Sequence, residues 1–151
     1  MNIRDATSAD RAFVLDLASR LASFEIPSWR TREEVVEGER RVLEAWFDEP
    51  LEDQAMFVAE LDGQRAGCAF LLTEIDYFNL RPCAHLSVLA ATAAAEGRGV
   101  GSALLDRSVE WARARGSDRL TLSALVTNTR ARGLYERRGF SGEYIRYVLP
   151  L

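Results

Sequence analysis

The chain has 151 residues, of which 48% are hydrophobic and 28% charged, a composition typical of one globular domain with a real core. Its net charge of −4 disfavours a nucleic-acid-binding protein, which is usually basic, and no apolar run approaches the ~20 residues of a membrane span. Cys68 and Cys83 are too few for a disulfide framework or a metal cluster, and the polar start lacks the apolar core of a signal peptide, so a cytoplasmic location is expected.

The first part of the chain predicts one short strand and two helices. The strand is NIRDAT, and Thr7 with Asp10 forms a capping-box pattern after it. Apolar residues then follow at helical spacing as far as Leu21. Thr31 with Glu34 is a second capping box, which opens a second helix that ends before the proline of DEPLED.

The middle of the chain predicts three consecutive strands. The segment AMFVAEL, the turn Asp62-Gly63 and the segment QRAGCAFLLTEI form a hairpin pattern, because Asp-Gly fits the turn that matches the twist of paired strands. A second turn, DYFNLRP, leads into CAHLSVLAA, the predicted fourth strand.

The stretch EGRGVGSALL joins the fourth strand to a third helix that ends near Gly116. Dense glycines allow a ligand to approach the backbone closely, and the free N–H groups of a helix start favour an anion such as a phosphate. The stretch lies in the more basic part of the chain, since residues 61–151 carry 9 acidic and 12 basic side chains and residues 1–60 carry 14 and 7. A Walker loop is excluded because the chain has no lysine. A plain tight turn is the alternative interpretation.

The last part predicts a fifth strand in RLTLSALV, a short helix in NTRARGLYERRG, and a last strand or strand pair in FSGEYIRYVL. The whole order is β-α-α-β-β-β-α-β-α-β. It predicts an α/β fold in which a mixed sheet carries helices on its faces, as one domain over residues 1–151.

Two motifs together resemble the GCN5-related N-acetyltransferase (GNAT) superfamily. Gly99 and Gly101 match the two small positions of the family's first signature, Gln/Arg-x-x-Gly-x-Gly/Ala. The second signature, N-x-x-A-x-x-L-Y-x-x-x-G-F, is matched at every fixed position from Asn128 to Phe140. Glu96 departs from the pattern, since it stands where the family has Gln or Arg. Because a carboxylate beside a pyrophosphate is unfavourable, we expect Glu96 to point to solvent or to an arginine.

The resemblance implies a GNAT-like acyltransferase fold: a twisted, mostly antiparallel sheet with splayed parallel strands 4 and 5 and helices on both faces. It also implies acetyl-CoA as cosubstrate, no metal, and an amine acceptor, either a small molecule or a peptide or protein. A homodimer is one expected assembly, without nucleic-acid or membrane partners. In relatives, strand backbone pairs with the pantetheine and loop N–H groups bind the pyrophosphate. The corresponding cofactor-binding residues here are Leu89, Ala91, Arg98, Gly99, Val100, Gly101, Ser102 and Asn128.

Two residues are candidates for proton transfer. Tyr135 matches the family's position for a general acid near the CoA sulfur; a core tyrosine on an amphipathic helix is the alternative. His85, the one histidine, lies where some members carry a catalytic base, and a histidine titrates near neutral pH. Strand alternation predicts that it shares a face with Ser87 and Leu89, unless a β-bulge intervenes.

Two alternatives remain open at this point. His85 is a structural histidine in the other interpretation, with solvent as the proton acceptor. A non-catalytic acyl-CoA-binding sensor or regulatory module on the same fold is the alternative function.

Overall fold

The structure, a computed structural model, describes residues 1–151 and is built on one five-stranded sheet whose strands lie in chain order. The first four strands pair antiparallel, and the fifth is parallel to the fourth. This confirms the predicted mixed α/β sheet. The strands are β1 (Asn2–Asp5), β2 (Gln54–Leu61), β3 (Gln64–Ile75), β4 (Pro82–Ala91) and β5 (Leu120–Leu122).

Four α-helices connect the strands and cover the sheet. Short 3₁₀ turns flank the first helix at Ser8–Asp10 and Leu17–Ala22, and a third, Ala93–Ala95, follows β4. None of the helices has the length and apolar character needed to cross a bilayer. The helices are α1 (Arg11–Asp16), α2 (Arg32–Asp48), α3 (Val100–Ala114) and α4 (Thr129–Arg137).

Two apolar clusters lie on opposite faces of the sheet. The first joins α1 and α2 to the sheet and contains Val14, Leu43 and Phe70, while the second lies under α3 and contains Phe57 and Leu104. Cys68 and Cys83 are both buried and unpaired, as expected for small apolar side chains.

The predicted capping boxes are both present, and one of them is also an ion-pair centre. The Asp10 carboxylate accepts from the backbone N–H of Thr7 at 2.8 Å, and it is fully buried. Arg4 donates to both of its oxygens, at 2.8 and 2.9 Å, and Arg65 Nε donates at 2.6 Å. The hydrogen bonds from Arg4 hold the pKa of Asp10 far below its usual range. This network ties β1 and β3 to the entry of α1.

Gly67 of β3 lets α3 lie directly on the sheet. A Cβ at this position would stand 2.6 Å from the Ala90 carbonyl oxygen and 2.8 Å from Val100 Cγ1, closer than non-bonded atoms approach. The start of α3 therefore depends on the missing side chain. Nothing in the sequence singles out this glycine, because a glycine inside a strand pattern does not indicate which element packs on it.

The prediction of a last strand in FSGEYIRYVL is wrong. Residues 141–151 form no strand and all are exposed, and β5 is limited to three residues. The segment has the aromatic and branched residues favoured in strands, but β-propensity mainly reflects packing against neighbouring strands. The short β5 offers little edge on which to pair.

Candidate active site

A gap opens between β4 and β5. Their parallel pairing runs only from Ala84 opposite Leu120 to Leu86 opposite Leu122, whereas β4 continues to Ala91. Beyond Leu86 this edge of β4 has no neighbouring strand, so its backbone N–H and C=O groups are open to pair with an extended ligand. The splayed pair of parallel strands is thereby confirmed.

A β-bulge lies in β4 at the start of this gap. Phe70 of β3 is opposite Val88, and the next residue, Leu71, is opposite Leu86. Ser87 is therefore an extra residue on β4. Such a bulge reverses the alternation of side chains between the two faces of the sheet.

The bulge places His85 and Leu89 on opposite faces. Leu86 belongs to the apolar cluster under α3, and Leu89, three residues later, packs against the same cluster. His85 points the other way, since its cross-strand partner Leu72 packs against the cluster with α1 and α2. The prediction that His85 shares a face with Leu89 is wrong, and the bulge is the reason.

His85 sits in a short hydrogen-bonded chain with Thr121 of β5. Its Nδ1 is 2.9 Å from Thr121 Oγ1 and 3.4 Å from the Glu74 carboxylate, and the Thr121 hydroxyl donates to the Ala84 carbonyl at 3.3 Å. A hydroxyl has one hydrogen, so a Thr121 hydroxyl that donates to Ala84 accepts from Nδ1–H, and the nearby Glu74 carboxylate favours a hydrogen on Nδ1 as well. This tautomer leaves a lone pair on Nε2.

The surroundings of His85 keep it neutral. Burial lowers its pKa below the usual value, and the negative charge of Glu74 offsets part of that shift. A neutral imidazole with a free Nε2 lone pair has the protonation state that a general base requires. Neither Glu74 nor Thr121 carries a sequence signal, because strand pairing alone brings them to His85.

An exposed glycine-rich segment, residues 96–99, follows the gap and is called the glycine loop below. Gly97 and Gly99 have φ of +72° and +82°, and a Cβ on either would meet no atom within 4 Å. Ala103 makes the first backbone bond of α3, to the Gly99 carbonyl at 3.0 Å. The N–H groups of residues 100–102 precede that bond and have no acceptor within the helix. Open space in front of free donors at a helix start fits an anion such as a pyrophosphate.

The other glycine of the first motif has a different role. A Cβ on Gly101 would stand 3.3 Å from Leu134 Cδ2, so Gly101 allows α4 to approach α3. Asn128 also acts locally, since its side-chain oxygen accepts from the Ala131 N–H at 3.2 Å and caps α4. Gly101 thus lets α3 and α4 pack closely, and Asn128 begins α4.

Three arginines near the glycine loop are paired with carboxylates. Arg98 pairs with Asp62 of the β2–β3 turn at 2.6 Å. Glu96 pairs with Arg20 and with Arg130 Nη1, the latter at 2.5 Å, which confirms that Glu96 points to an arginine. The hydrogen bond from Arg130 lowers the pKa of Glu96, with a smaller contribution from Arg20.

Tyr135 lies on the α3 face. Its ring packs against the cluster under α3 and lies 5.9 Å, between centroids, from Phe140. Burial raises the pKa of the phenol, so the hydroxyl is protonated at neutral pH, as a proton donor must be. Tyr135 and His85 therefore lie on opposite faces of the sheet.

Comparison with known proteins gives one consistent family. Residues 19–140 match the model of the acetyltransferase (GNAT) family. The chain is 37% identical over 109 residues to a mycothiol acetyltransferase of Beutenbergia cavernae, a match that covers 71% of this chain and 34% of the length of that relative.

Two further matches extend over nearly the whole chain. The uncharacterized N-acetyltransferase YhfO of Bacillus subtilis (strain 168) is 26% identical over 99% of this chain and 97% of its own. The apo crystal structure of aminoglycoside antibiotic 6'-N-acetyltransferase from Acinetobacter haemolyticus superposes with a TM-score of 0.71 and 18% identity, covering 100% of this chain and 99% of the other. At this identity the structural match shows the fold.

Proposed function

Because the chain belongs to the GNAT family of acetyltransferases, we propose that it transfers the acetyl group of acetyl-CoA to a primary amine of a small molecule, peptide or protein. The observation that carries this proposal is the gap beyond Leu86, which is followed by the glycine loop at Gly97 and Gly99. The relatives act on different acceptors by name, so the acceptor is proposed only by class. Localisation in the cytoplasm is part of the same proposal.

The residues around the gap fit the two ends of acetyl-CoA. The open edge of β4, with Leu89 and Ala91, presents backbone groups suited to the pantetheine amides. The free N–H groups of residues 100–102, with the backbone of Arg98 and Gly99, suit the pyrophosphate. Bound acetyl-CoA supplies the activated acetyl group as a thioester.

We assign proton transfer to His85 and Tyr135, which lie on opposite faces of the sheet. The acceptor amine must lose a proton as its nitrogen bonds to the acetyl carbon, and His85 Nε2 is the base that we assign to it. As the carbon–sulfur bond breaks, the thiolate takes the phenolic proton of Tyr135, which later regains a proton from solvent. A C–N bond replaces a C–S bond, and no oxidation occurs.

The placement of these residues on opposite faces suits such a transfer. An amine that enters from the α1–α2 face meets His85, and a thiol that leaves on the α3 face meets Tyr135. The carbonyl between them would lie in the gap itself, where backbone N–H groups of β4 after Leu86 are available to polarise it.

Release of free CoA thiol across a broad panel of amines tests the proposal. Acetylation of at least one amine, with stoichiometric thiol release, is expected. Tight binding of acetyl-CoA without turnover on any amine would instead favour the sensor function.

A matched pair of glycine variants tests where the cosubstrate binds. Gly99 and Gly116 lie at the two ends of α3, both have positive φ, and a Cβ on either meets no atom within 4 Å. Valine at either position imposes similar backbone strain. Gly99→Val should abolish most of the rise in melting temperature caused by acetyl-CoA, and Gly116→Val should keep it. Equal behaviour of the two variants contradicts the assignment.

A further inference from the structure

Glu96, at the start of the glycine loop, joins three separate elements. Its carboxylate pairs with Arg20, from the 3₁₀ turn after α1, and with Arg130, from the first turn of α4. Glu96 itself immediately follows the 3₁₀ turn Ala93–Ala95. One carboxylate oxygen, Oε1, serves both arginines.

This arrangement is unusual for a site that suits an anion. A lone carboxylate beside the free N–H groups of α3 would repel a phosphate. With two arginines, the triad of Arg20, Glu96 and Arg130 carries a net positive charge. The two arginines thus offset Glu96 and bring cationic side chains to the glycine loop from outside it.

The two arginines differ in how firmly they are held. Arg130 is 64% exposed and Glu96 36% exposed, so their ion pair is screened by solvent and is readily exchanged for another anion. Arg20 is 30% exposed, and its Nε is buried without a hydrogen-bond partner. Arg130 is therefore the arginine that is free to leave Glu96.

We propose that Glu96 is an internal competitor for the phosphate groups of the cosubstrate. It pairs with Arg130 beside the glycine loop and yields Arg130 to a phosphate on binding, while Arg20 stays with Glu96. This inference rests on the proposed function. It makes Arg130 a phosphate-binding residue and makes Glu96 a residue that weakens affinity selectively for phosphate-bearing ligands.

A purely structural role for Glu96 predicts the opposite sign. If Glu96 only tethered α4 and the 3₁₀ turn to the glycine loop, its removal would loosen that loop and weaken CoA binding. If it competes with phosphate, its removal frees Arg130 and strengthens binding. The direction of the change in affinity therefore separates the two roles.

The experiment is titration calorimetry of the full chain with CoA and, separately, with pantetheine, which lacks phosphate. We expect Glu96→Gln to tighten CoA binding about 3- to 10-fold and Arg130→Gln to weaken it by a similar factor, magnitudes typical of one exposed charge-assisted contact. The double variant, Glu96→Gln with Arg130→Gln, should bind CoA as weakly as Arg130→Gln does, because Glu96 weakens binding by holding Arg130. Pantetheine binding should not change in any of them.

Two further variants serve as controls. Glu136→Gln removes a carboxylate from the same helix, α4, where it pairs with Arg132 at 3.8 Å, and it should leave CoA affinity unchanged. Glu96→Asp keeps the charge on a shorter side chain that reaches the arginines less well, and it should tighten CoA binding by less than Glu96→Gln.

Several outcomes would overturn the inference. They are unchanged or weaker CoA binding by Glu96→Gln, additive effects in the double variant, or an equal change in pantetheine affinity. If the wild-type protein binds pantetheine and CoA alike, the phosphate site itself is absent and the inference fails. If it binds neither, the proposed function fails and takes this inference with it.

Discussion

The first part of the chain, residues 1–112, and the second part, residues 113–151, differ sharply in how deeply their residues are buried. All 30 buried residues lie between Asp10 and Ala112, and most of them are in the strands β2 to β4 and the helices α1 and α3. From residue 113 onward no residue is buried, and β5 joins the sheet through three residue pairs. Yet this second part supplies Thr121, Arg130 and Tyr135. The first part contains the buried core, and the second part contains several of the residues that we propose act in binding and proton transfer.

The contrast has a physical consequence for mutations. Core contacts determine the free energy of unfolding, and regions with few of them open locally at lower cost. Changes in the first part should therefore lower stability, whereas changes in the second should alter catalysis with little loss of stability. Four experiments follow, from the largest expected effect to the smallest. Those at Asp10, at Tyr135 and at the C-terminal segment test this division, and the one at His85 tests the catalytic residue that the first part contributes.

The largest loss of stability is expected from Asp10→Asn. It leaves Arg4 and Arg65 without their shared buried carboxylate, which should lower the free energy of unfolding by about 3 kcal/mol. The contribution of Asp10 is present above its unfolded pKa of about 4 and is lost as the pH falls through its much lower folded pKa. Urea denaturation at pH 7 and at pH 3 measures both effects.

A matched control exists on the surface. Asp48 pairs with Arg11 at 2.8 Å but is 67% exposed, and Asp48→Asn should cost less than about 1 kcal/mol. Equal losses from Asp10→Asn and Asp48→Asn would contradict the importance of the buried network.

Tyr135→Phe should give the largest loss of catalysis. The ring and its packing against Phe140 remain, and only the proton is removed. We expect kcat to fall about 10- to 1000-fold, overlapping the usual range for a general acid, with acetyl-CoA affinity and melting temperature nearly unchanged. A kcat equal to that of wild type, with chemistry shown to be rate-limiting, would remove Tyr135 from the mechanism.

His85→Gln should lose activity in a way that depends on pH. Because burial lowers the pKa of His85 below its usual value, the wild-type imidazole is neutral at pH 7 and is lost as a base only in acid. The variant should lose at least about tenfold at pH 7 and recover partly by pH 9, where free amine is plentiful.

The controls for this prediction use the partner of His85. Thr121→Val removes the hydroxyl that fixes the tautomer and should show a smaller loss with the same pH trend. A His85→Gln profile that is merely scaled down at every pH would identify solvent as the proton acceptor.

The smallest effect is expected from removal of residues 142–151. All of them are exposed and form no strand, so their deletion should change the free energy of unfolding by less than about 0.5 kcal/mol. A larger loss in urea denaturation would show that this segment packs on the fold, and would break the contrast between the two parts.

Features encoded by near neighbours in the chain were predictable. The capping boxes at Thr7 and Thr31 and the Asp62-Gly63 hairpin turn all formed as predicted. So did the glycine turn into α3. Each depends on residues within about four positions of one another, whose backbone hydrogen bonds and steric limits are local. The family motifs predicted the fold, because together they mark two local structures, the glycine turn into α3 and the helix α4.

The failures came from interactions between distant parts of the chain. The bulge at Ser87 turned His85 to the face opposite Leu89, and the alternation of β4 by itself does not reveal such an extra residue. The strand-like segment near Tyr147 stayed unpaired, because a strand needs a partner edge and propensity does not supply one.

The sequence by itself therefore determined the elements, their order and the family to which the chain belongs. Only the tertiary structure decided which side chains meet. Thr121 reaches His85 across 36 positions, and Arg20 reaches Glu96 across 76. Hydrophobic periodicity specifies which face of an element is buried, but the polar partner of a given atom depends on strand register and helix placement, which are set when the whole core packs.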